Sequence, residues 1–202
     1  MKIILTGTTG FVGTEVLAQA LSNEAITSLI VLSRKPLPES MTSNPKVTVK
    51  ILKDFLSYPT PLLNELAGAE GTLGLATSLD LSLYRKINHE YTLAAVEAFS
   101  KIPPVSSSPA ASNRPFRFIY CSGAAAVRDQ EKTLWFMGDI RRVRGQTESA
   151  LLSYHTNSHT YAQGLDRKNT KKMEITIVRP AMVIAKEWTV HSMLFSLGPR
   201  DG

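Results

Sequence analysis

The amino-acid sequence predicts an α/β fold in which helices cover both faces of a doubly wound parallel sheet of about six strands. Short apolar runs rich in β-branched residues alternate with helix-like stretches along the 202 residues. Such alternation is typical of parallel strands joined by crossover helices. The runs are apolar on both sides, as in strands with both faces buried, and a glycine-rich turn separates the first run from the first helix.

Each strand and helix is predicted from its own pattern of apolar residues. The predicted strands are Lys2–Thr6, Leu29–Ser33, Val47–Leu52, Thr72–Thr77, Phe116–Cys121 and Ile175–Arg179. Helices are expected where apolar residues recur at helical spacing, which is the case in Phe11–Leu21, Tyr84–Lys101 and Asp139–Tyr154.

Three stretches are expected to be loops, because they are polar or rich in proline and serine. They are Pro36–Pro45, Pro103–Pro115 and His155–Lys172. The second and third are expected to be flexible insertions, since their composition does not build a core. The alternation of strands and helices continues past them, so we expect a single domain over residues 1–202.

The composition limits the classes of ligand and compartment. Lys and Arg number 23 against 17 Asp and Glu, and the resulting charge of +6 favours anionic ligands. The single cysteine, Cys121, excludes an internal disulfide and indicates a reducing, cytoplasmic setting. One thiol and four scattered histidines predict no metal site. No apolar run approaches the ~18 residues of a membrane span, and polar residues interrupt the first run too early for a signal peptide.

The turn after the first predicted strand has the spacing of a phosphate-binding motif. Its residues are Gly7, Thr8, Thr9, Gly10, Phe11, Val12 and Gly13. Gly7 would allow a tight turn, Gly10 the approach of a pyrophosphate, and Gly13 close packing of helix on strand. The first amides of a helix lack partners within the helix and attract negative charge. The turn therefore predicts a dinucleotide site; the alternative is an ordinary glycine-rich turn.

The end of the second predicted strand indicates which dinucleotide is bound. A protein that prefers NAD carries an acidic residue there for the ribose 2′-hydroxyl, whereas this chain has Ser33, Arg34 and Lys35. A 2′-phosphate would fit these residues, with Arg34 clamping it or stacking on adenine and Ser33 donating a hydrogen bond. NADP(H) is therefore the preferred cofactor, and NAD(H) stays open. The alternative is a basic turn that is simply solvated.

With these motifs, the chain resembles the atypical short-chain dehydrogenase/reductase superfamily, and within it the NAD(P)-binding proteins of the Tat-interacting-protein-like group. The likeness extends from Met1 to about Ile184. It implies a Rossmann-like sheet with strand order 3-2-1-4-5-6. It also implies an NAD(P)-dependent oxidoreductase that acts on a small-molecule carbonyl or a related substrate.

The resemblance adds residues to the cofactor site. Asp54 and Phe55 stand where the family contacts adenine, and Ala76 and Thr77 stand where it contacts the ribose and phosphates. The alternatives are an exposed loop carboxylate for Asp54 and a helix cap for Thr77.

Further residues are implied close to the nicotinamide. Ser122 follows the fifth strand at the position of the family's catalytic serine, and Arg179 and Pro180 match a pair near the nicotinamide and substrate. The alternatives are that Ser122 is an ordinary loop residue and that Pro180 only ends the strand.

The chain departs from the family at the tyrosine and lysine that serve as its acid pair. None of the 6 tyrosines is followed by lysine four residues later. The family's Lys-Gly-x-x-Glu segment matches here with Arg144 at the lysine position and Ile140 at the tyrosine position. Arg144 could still bind the nicotinamide ribose, but Ile140 cannot donate a proton. Ser122, His155, His159 or the substrate remain as proton sources.

Two functions are therefore expected, with a third disfavoured. The first is an NADP(H)-dependent oxidoreductase with a small-molecule substrate. The second is a catalytically silent NADP(H)-binding protein that acts through a protein partner; a homodimer is also open. Nucleic-acid binding is disfavoured, because no aromatic residues interleave the basic runs.

Overall fold

The computed structural model describes residues 1–74, 81–103, 115–161 and 173–181, with only the backbone for 155–161. The strands are β1 (Lys2–Thr6), β2 (Ser28–Ser33), β3 (Val47–Ile51), β4 (Gly71–Gly74), β5 (Phe116–Cys121) and β6 (Met173–Val178). The helices are α1 (Phe11–Ser22), α2 (Glu39–Thr42), α3 (Thr60–Glu65), α4 (Leu81–Arg85), α5 (Tyr91–Ser100) and α6 (Gly138–Tyr161). A π-helical turn, Lys86–Glu90, joins α4 to α5.

The six strands form one parallel sheet in the order β3-β2-β1-β4-β5-β6. The predicted fold class and strand order are thereby confirmed. The central strand is β1, in which Leu5 is paired with Val31 of β2 on one side and with Leu73 of β4 on the other. The order of the strands reverses between β1 and β4, and a crevice for ligands lies at such a point in open α/β sheets.

Helices cover both faces of the sheet, as adjacent residues of β1 show. Ile4 belongs to a core cluster that contains Phe99 of α5, whereas Leu5 belongs to a second cluster that contains Leu17 of α1. Ile4 and Leu5 are 0% and 2% exposed, so neither face of β1 meets water. This is why the sequence of β1 does not alternate between apolar and polar residues.

The largest departure from the predicted elements is the length of α6. We expected His155–Lys172 to be a loop, but the helix continues to Tyr161, so that prediction is wrong for His155–Tyr161. Polar residues do not end a helix by themselves, and this segment contains neither proline nor glycine. Residues 162–172 lie outside the described part of the chain, as do residues 104–114 of the second predicted insertion.

Short helices were also missed. The predicted loop Pro36–Pro45 contains α2, and α3 was not predicted. Both are preceded by proline, Pro38 and Pro59, and both are too short for an apolar stripe to emerge from the sequence. The predicted strand Thr72–Thr77 is observed as Gly71–Gly74, and residues 75–80 are outside the described part.

The π-helical turn ties the helix after β4 to α6. Asn88 lies in this turn, is buried, and donates from Nδ2 to the carbonyl oxygen of Tyr84 at 3.0 Å. Thr147 Oγ1 of α6 lies within hydrogen-bond distance of the carbonyl oxygens of Asn88, at 3.2 Å, and Val143, at 2.8 Å, which share its single hydrogen. The extra residue of a π turn therefore places a main-chain acceptor against α6.

Candidate functional site

The predicted site residues follow different strands but meet at one edge of the sheet. Because the strands are parallel, their carboxyl ends lie together. Gly7 follows β1, Ser33 ends β2, Ser122 follows β5, and Arg179 follows β6. The edge therefore carries the predicted phosphate-binding turn in its middle and the predicted catalytic residues on the side of β5 and β6.

The turn between β1 and α1 requires glycine at two positions. Gly7 has φ 72°, in the left-handed region that side chains disfavour. A Cβ atom on Gly13 would lie 2.0 Å from the carbonyl oxygen of Gly7. Gly10 donates from N to the same oxygen at 3.0 Å, and Thr14 Oγ1 donates to the carbonyl oxygen of Thr8 at 3.0 Å. These contacts hold the start of α1 directly on the end of β1.

The start of α1 has the properties of an anion site. Its N-cap, Gly10, provides no side-chain hydrogen bond, and the first turn contains no acidic residue. The amides of Phe11, Val12 and Gly13 therefore lack acceptors within the helix and add to the positive end of its dipole. Thr8 is buried, whereas Thr9 and Phe11 are exposed beside the turn. Chemically, this turn can hold a phosphate group.

The basic segment after β2 is only partly available. Ser33 Oγ already donates to the carbonyl oxygen of Lys35 at 2.7 Å, so the hydroxyl must give up this bond to donate to a ligand. Arg34 is exposed and has no ion pair within the described residues. Arg34 is therefore accessible to an anion, and the neighbouring Lys35 is exposed as well.

The residues predicted to contact adenine, Asp54 and Phe55, make contacts within the loop after β3 and with neighbouring aromatic rings. Asp54 accepts a hydrogen bond from the amide of Leu56 at its Oδ1, at 3.1 Å, and so shapes the loop. Phe55 is half-buried, with its ring 5.7 Å from that of Tyr91 and 6.3 Å from that of Tyr58. The structure thus places both residues near the same sheet edge, but with their side chains directed into local contacts. Ala76 and Thr77 lie outside the described residues.

Ser122 is held by its main chain and has an unused hydroxyl. Its amide donates to the carbonyl oxygen of Val178 at 2.8 Å, and Ala124 donates to that of Pro180 at 3.1 Å, so Pro180 anchors the loop that starts at Ser122. The residue is 2% exposed, and its Oγ makes no hydrogen bond in the described part of the chain. A buried hydroxyl without a partner is costly, which marks this position for a ligand or a special role.

Arg144 is fixed by contacts with two other elements. Its Nη1 donates to the carbonyl oxygen of Ser122 at 3.1 Å, and its Nε donates to the phenol oxygen of Tyr84. Its guanidinium carbon is 5.8 Å from the centre of the Tyr84 ring. Gly123 makes room for it, since a Cβ there would be 2.1 Å from Nη1.

Tyr84 is a site residue that the sequence did not reveal. Burial raises the pKa of its phenol and the charge of Arg144 opposes this, with a net pKa above the ordinary value. The phenol therefore stays protonated at neutral pH. Tyr84 and Arg144 lie on different helices and are 60 positions apart in the chain, so no local spacing could have joined them.

A second missed feature is the ion-pair cluster of Arg128, Glu148 and Arg179. Glu148, in α6, is 0% exposed. Its Oε2 accepts from Arg128 Nε at 2.7 Å and from Arg179 Nη2, and its Oε1 accepts from Arg179 Nε at 2.8 Å. The Lys-Gly-x-x-Glu match pointed to Glu148 in the sequence, but nothing in the sequence marked Arg128.

The hydrogen bonds of this cluster keep Glu148 ionised. Burial alone would raise the pKa of its carboxyl, but the hydrogen bonds from Arg179 and Arg128, together with the nearby Ser122 hydroxyl, outweigh burial and hold the pKa below its ordinary value. The Ser122 hydroxyl contributes by proximity, because its Oγ does not reach hydrogen-bond geometry with a described residue. Glu148 in turn raises the pKa of Arg179.

Neither a metal site nor a membrane-spanning helix occurs in the described ranges. Among the side chains that the structure describes, no three of His, Cys, Asp or Glu converge in a way that could hold a metal ion. Within the same ranges, every helix is too short or too polar to cross a bilayer.

The sequence is similar to that of a biosynthesis cluster protein, and it matches no protein-family model. Leucinostatins biosynthesis cluster protein T of Purpureocillium lilacinum is 34% identical over 124 residues. The match covers 60% of this chain and 42% of that protein, so the chain spans less than half of the relative's length.

The fold is similar to those of solved reductases and epimerases. Gre2 of Candida albicans, solved with NADPH, has a TM-score of 0.61 and 15% identity, over 90% of this chain and 57% of its own. Vestitone reductase of alfalfa has a TM-score of 0.60 and 18% identity, over 88% and 56%. UDP-glucuronic acid 4-epimerase of Bacillus cereus, solved with NAD, has a TM-score of 0.57 and 20% identity, and the match covers 90% of this chain and 56% of the epimerase.

These similarities support the Rossmann-like α/β fold that the strand order shows. None of the three structures singles out the Tat-interacting-protein-like group. The chain spans little more than half the length of each of these neighbours.

Proposed function

We propose that the chain is an NAD(P)-dependent oxidoreductase of the atypical short-chain dehydrogenase type that prefers NADP(H). Its substrate is a small-molecule carbonyl or a related compound. The observation that carries this proposal is the turn from Gly7 to Gly13, which leaves no room for a side chain on Gly13. The amides at the start of α1 lack acceptors within the helix, and they lie beside the point where the order of the strands reverses. Neighbours solved with NADPH or NAD support the class of cofactor, and the wider resemblance supports the Tat-interacting-protein-like group.

The residues of the turn fit a dinucleotide. The amides of Phe11, Val12 and Gly13 would bind the pyrophosphate, and Arg34 would bind the 2′-phosphate of NADP(H). Ser33 can join Arg34 when its bond to Lys35 opens. A bound nicotinamide cofactor supplies a hydride donor or acceptor. Asp54, Phe55, Ala76 and Thr77 remain proposed contacts with the rest of the cofactor.

The catalytic part of the proposal rests on Ser122 and Arg144. The unpartnered Oγ of Ser122 can donate a hydrogen bond to a carbonyl oxygen and so polarise it. Arg144, fixed by Tyr84 and Ser122, keeps its Nη2 hydrogens for a ribose hydroxyl. Arg179 and Pro180 directly follow β6, whose last residue accepts the amide hydrogen of Ser122, and they remain proposed contacts near the nicotinamide. Positioned acid–base catalysis contributes about 10²–10⁴-fold, so reduction without the family's tyrosine is expected to be slow.

The second candidate function is a silent NADP(H)-binding protein that acts through a protein partner or a homodimer. The specific observation in its favour is the position of Ile140, one helical turn before Arg144, where the family has its proton donor. Within the described chain, the only tyrosine hydroxyl that receives a hydrogen bond from Arg144 is that of Tyr84, and Tyr84 is only 1% exposed. For both functions we propose a cytoplasmic location, because Cys121 is a free thiol.

Calorimetric titration of the purified chain with NADPH and with NADH tests the shared premise. We expect tighter binding of NADPH, and a rise in unfolding free energy of about 2.7 kcal/mol at 100 times the Kd.

A panel of aldehydes and ketones, with NADPH consumption recorded, separates the two functions. Turnover that falls in Ser122→Ala supports the oxidoreductase, binding without turnover supports the silent protein, and no binding of either coenzyme contradicts both.

A further inference from the structure

Two guanidinium groups meet at one buried carboxylate oxygen. Arg128 Nε and Arg179 Nη2 both donate to Oε2 of Glu148. The carboxylate is 0% exposed, whereas the side chains of Arg128 and Arg179 are 45% and 36% exposed. The positive groups therefore face solvent, and the negative group that fixes them lies beneath.

Most of the donors in this cluster have no acceptor. A guanidinium has five N–H groups. Arg128 uses Nε, and Arg179 uses Nε and Nη2, so both Nη groups of Arg128 and the Nη1 group of Arg179 are without a partner in the described structure. The charges are two positive and one negative, which leaves +1 at the surface. An oxyanion would neutralise this charge and accept these hydrogen bonds.

The cluster lies at the carboxyl edge of the sheet but away from the glycine turn. Arg179 directly follows β6, and the neighbouring Val178 accepts the amide hydrogen of Ser122. The glycine turn follows β1, and β4 and β5 lie between β1 and β6. With neighbouring strands about 4.8 Å apart, the two regions are roughly 14 Å apart. An anion at the arginines is thus a different ligand group from a phosphate at the turn.

We propose that Arg128 and Arg179 bind an oxyanion of the substrate, a carboxylate or a phosphate, and that Glu148 is the positioning residue that holds both guanidiniums. This inference rests on the proposed function and deepens it, because it names a substrate class: small molecules with an anionic group beside the reacting centre. Glu148 serves this purpose because two arginines repel each other unless a carboxylate lies between them. Guanidinium groups that are fixed in advance lose less entropy on binding a planar or tetrahedral oxyanion.

The test uses ¹⁵N-labelled full chain and follows the Nε–H resonances of its arginines. The probes are orthophosphate and succinate, each titrated at constant ionic strength into protein with and without saturating NADPH. The signal of Arg128 is assigned by its absence in Arg128→Gln. Arg117 is the matched control, since it pairs with Glu174 at 3.4 Å near the opposite end of β5 and has a 67% exposed side chain.

We expect saturable shifts at Arg128 and Arg179 but not at Arg117. The Kd should rise about tenfold or more in Arg128→Gln and stay unchanged in Arg117→Gln, because hydrogen bonds to charged groups are strong. A response to orthophosphate alone assigns a phosphate, and a response to succinate alone assigns a carboxylate. No saturable shift with either probe, or equal weakening in both variants, overturns the proposal.

Failure of the proposed function gives a different result in the same samples. Without coenzyme binding, NADPH leaves the amide resonances of Gly10 and Gly13 unchanged, whereas the response of Arg128 to the probes is measured independently of NADPH. The anion site and the dinucleotide site are therefore scored separately.

Discussion

Arg144 donates its Nε hydrogen to the phenol oxygen of Tyr84 across the contact between two helices. Arg144 also lies over the Tyr84 ring and donates to the main chain of Ser122, which starts the loop after β5. Three contacts thus fix a side chain that the resemblance assigns to the nicotinamide ribose. The tyrosine that contacts Arg144 comes from α4, after β4, whereas Ile140 occupies the position on α6 where the resemblance implies a tyrosine.

Removal of the Tyr84 hydroxyl should destabilise the protein. In Tyr84→Phe, Arg144 Nε loses its acceptor in a partly buried place, which costs about 1–3 kcal/mol. The matched control is Tyr58→Phe, because the buried hydroxyl of Tyr58 has no partner among the described residues, and its removal should be neutral or slightly stabilising. Urea unfolding of both variants measures the difference, and equal effects would contradict the role of this hydrogen bond.

Gly13→Ala should disrupt the proposed phosphate-binding turn itself. Its Cβ would lie 2.0 Å from the main-chain oxygen of Gly7, and overpacking of this kind costs about 1–3 kcal/mol. A Cβ on Gly10 would be 3.3 Å from the same oxygen, so Gly10→Ala should fold almost normally and instead hinder the approach of a pyrophosphate. We expect a lower unfolding midpoint only for Gly13→Ala, and weaker NADPH binding by calorimetry for both. Gly10→Ala with unchanged NADPH affinity would argue against a pyrophosphate at this turn.

A change of charge at Arg34 should alter the choice of coenzyme. Arg34→Asp removes the proposed partner of the 2′-phosphate and provides an acceptor for a ribose 2′-hydroxyl, so NADPH should bind about tenfold more weakly and NADH more tightly. Arg34→Gln removes the charge without adding an acid, and it should weaken the binding of NADPH but leave that of NADH unchanged. Calorimetric Kd values for both coenzymes check this, and an unchanged ratio in Arg34→Asp would remove Arg34 from the site.

The stability that Glu148 provides should depend on pH. Its pKa in the folded protein lies below the ordinary value of 4.5, so its ionised form stabilises the fold fully above about pH 4.5, and this contribution is lost as the pH falls through the folded pKa. At pH 7, Glu148→Gln should destabilise by about 1.5 kcal/mol, at the lower end for charged hydrogen bonds, because both arginines are more than a third exposed. The difference from the wild-type chain, measured by denaturant titration from pH 7 to pH 3, should narrow at the acid end. A constant difference over this range would contradict the prediction.

The sheet could be predicted closely because its signal is local. β1 and β5 begin and end at the predicted residues, since apolar runs between turn residues define them. The order of the strands follows from the handedness of parallel connections together with the resemblance. The end of α6 could not be predicted, because its last residues are polar and tertiary context determines where such a helix ends.

The candidate site could be predicted only in part, because local patterns reveal only those features that neighbouring residues form. The glycine turn is contiguous, so its geometry follows from seven neighbouring residues. The contact of Tyr84 with Arg144 and the meeting of Arg128 with Arg179 join residues that are 60 and 51 positions apart. Spacing along one element does not reveal such contacts, which depend on the register of β5 with β6 and on the packing of α6 across them.

The central place of β1 also determines the order in which the nascent chain can complete its sheet. β1 leaves the ribosome before both of its neighbours, and β2 can cover one of its edges soon afterwards. The other edge has to wait for β4, a strand of only 4 residues that is made after α3. Until then, the open edge of this apolar strand can pair with other chains, so the nascent protein is exposed to aggregation until Gly71–Gly74 is in place.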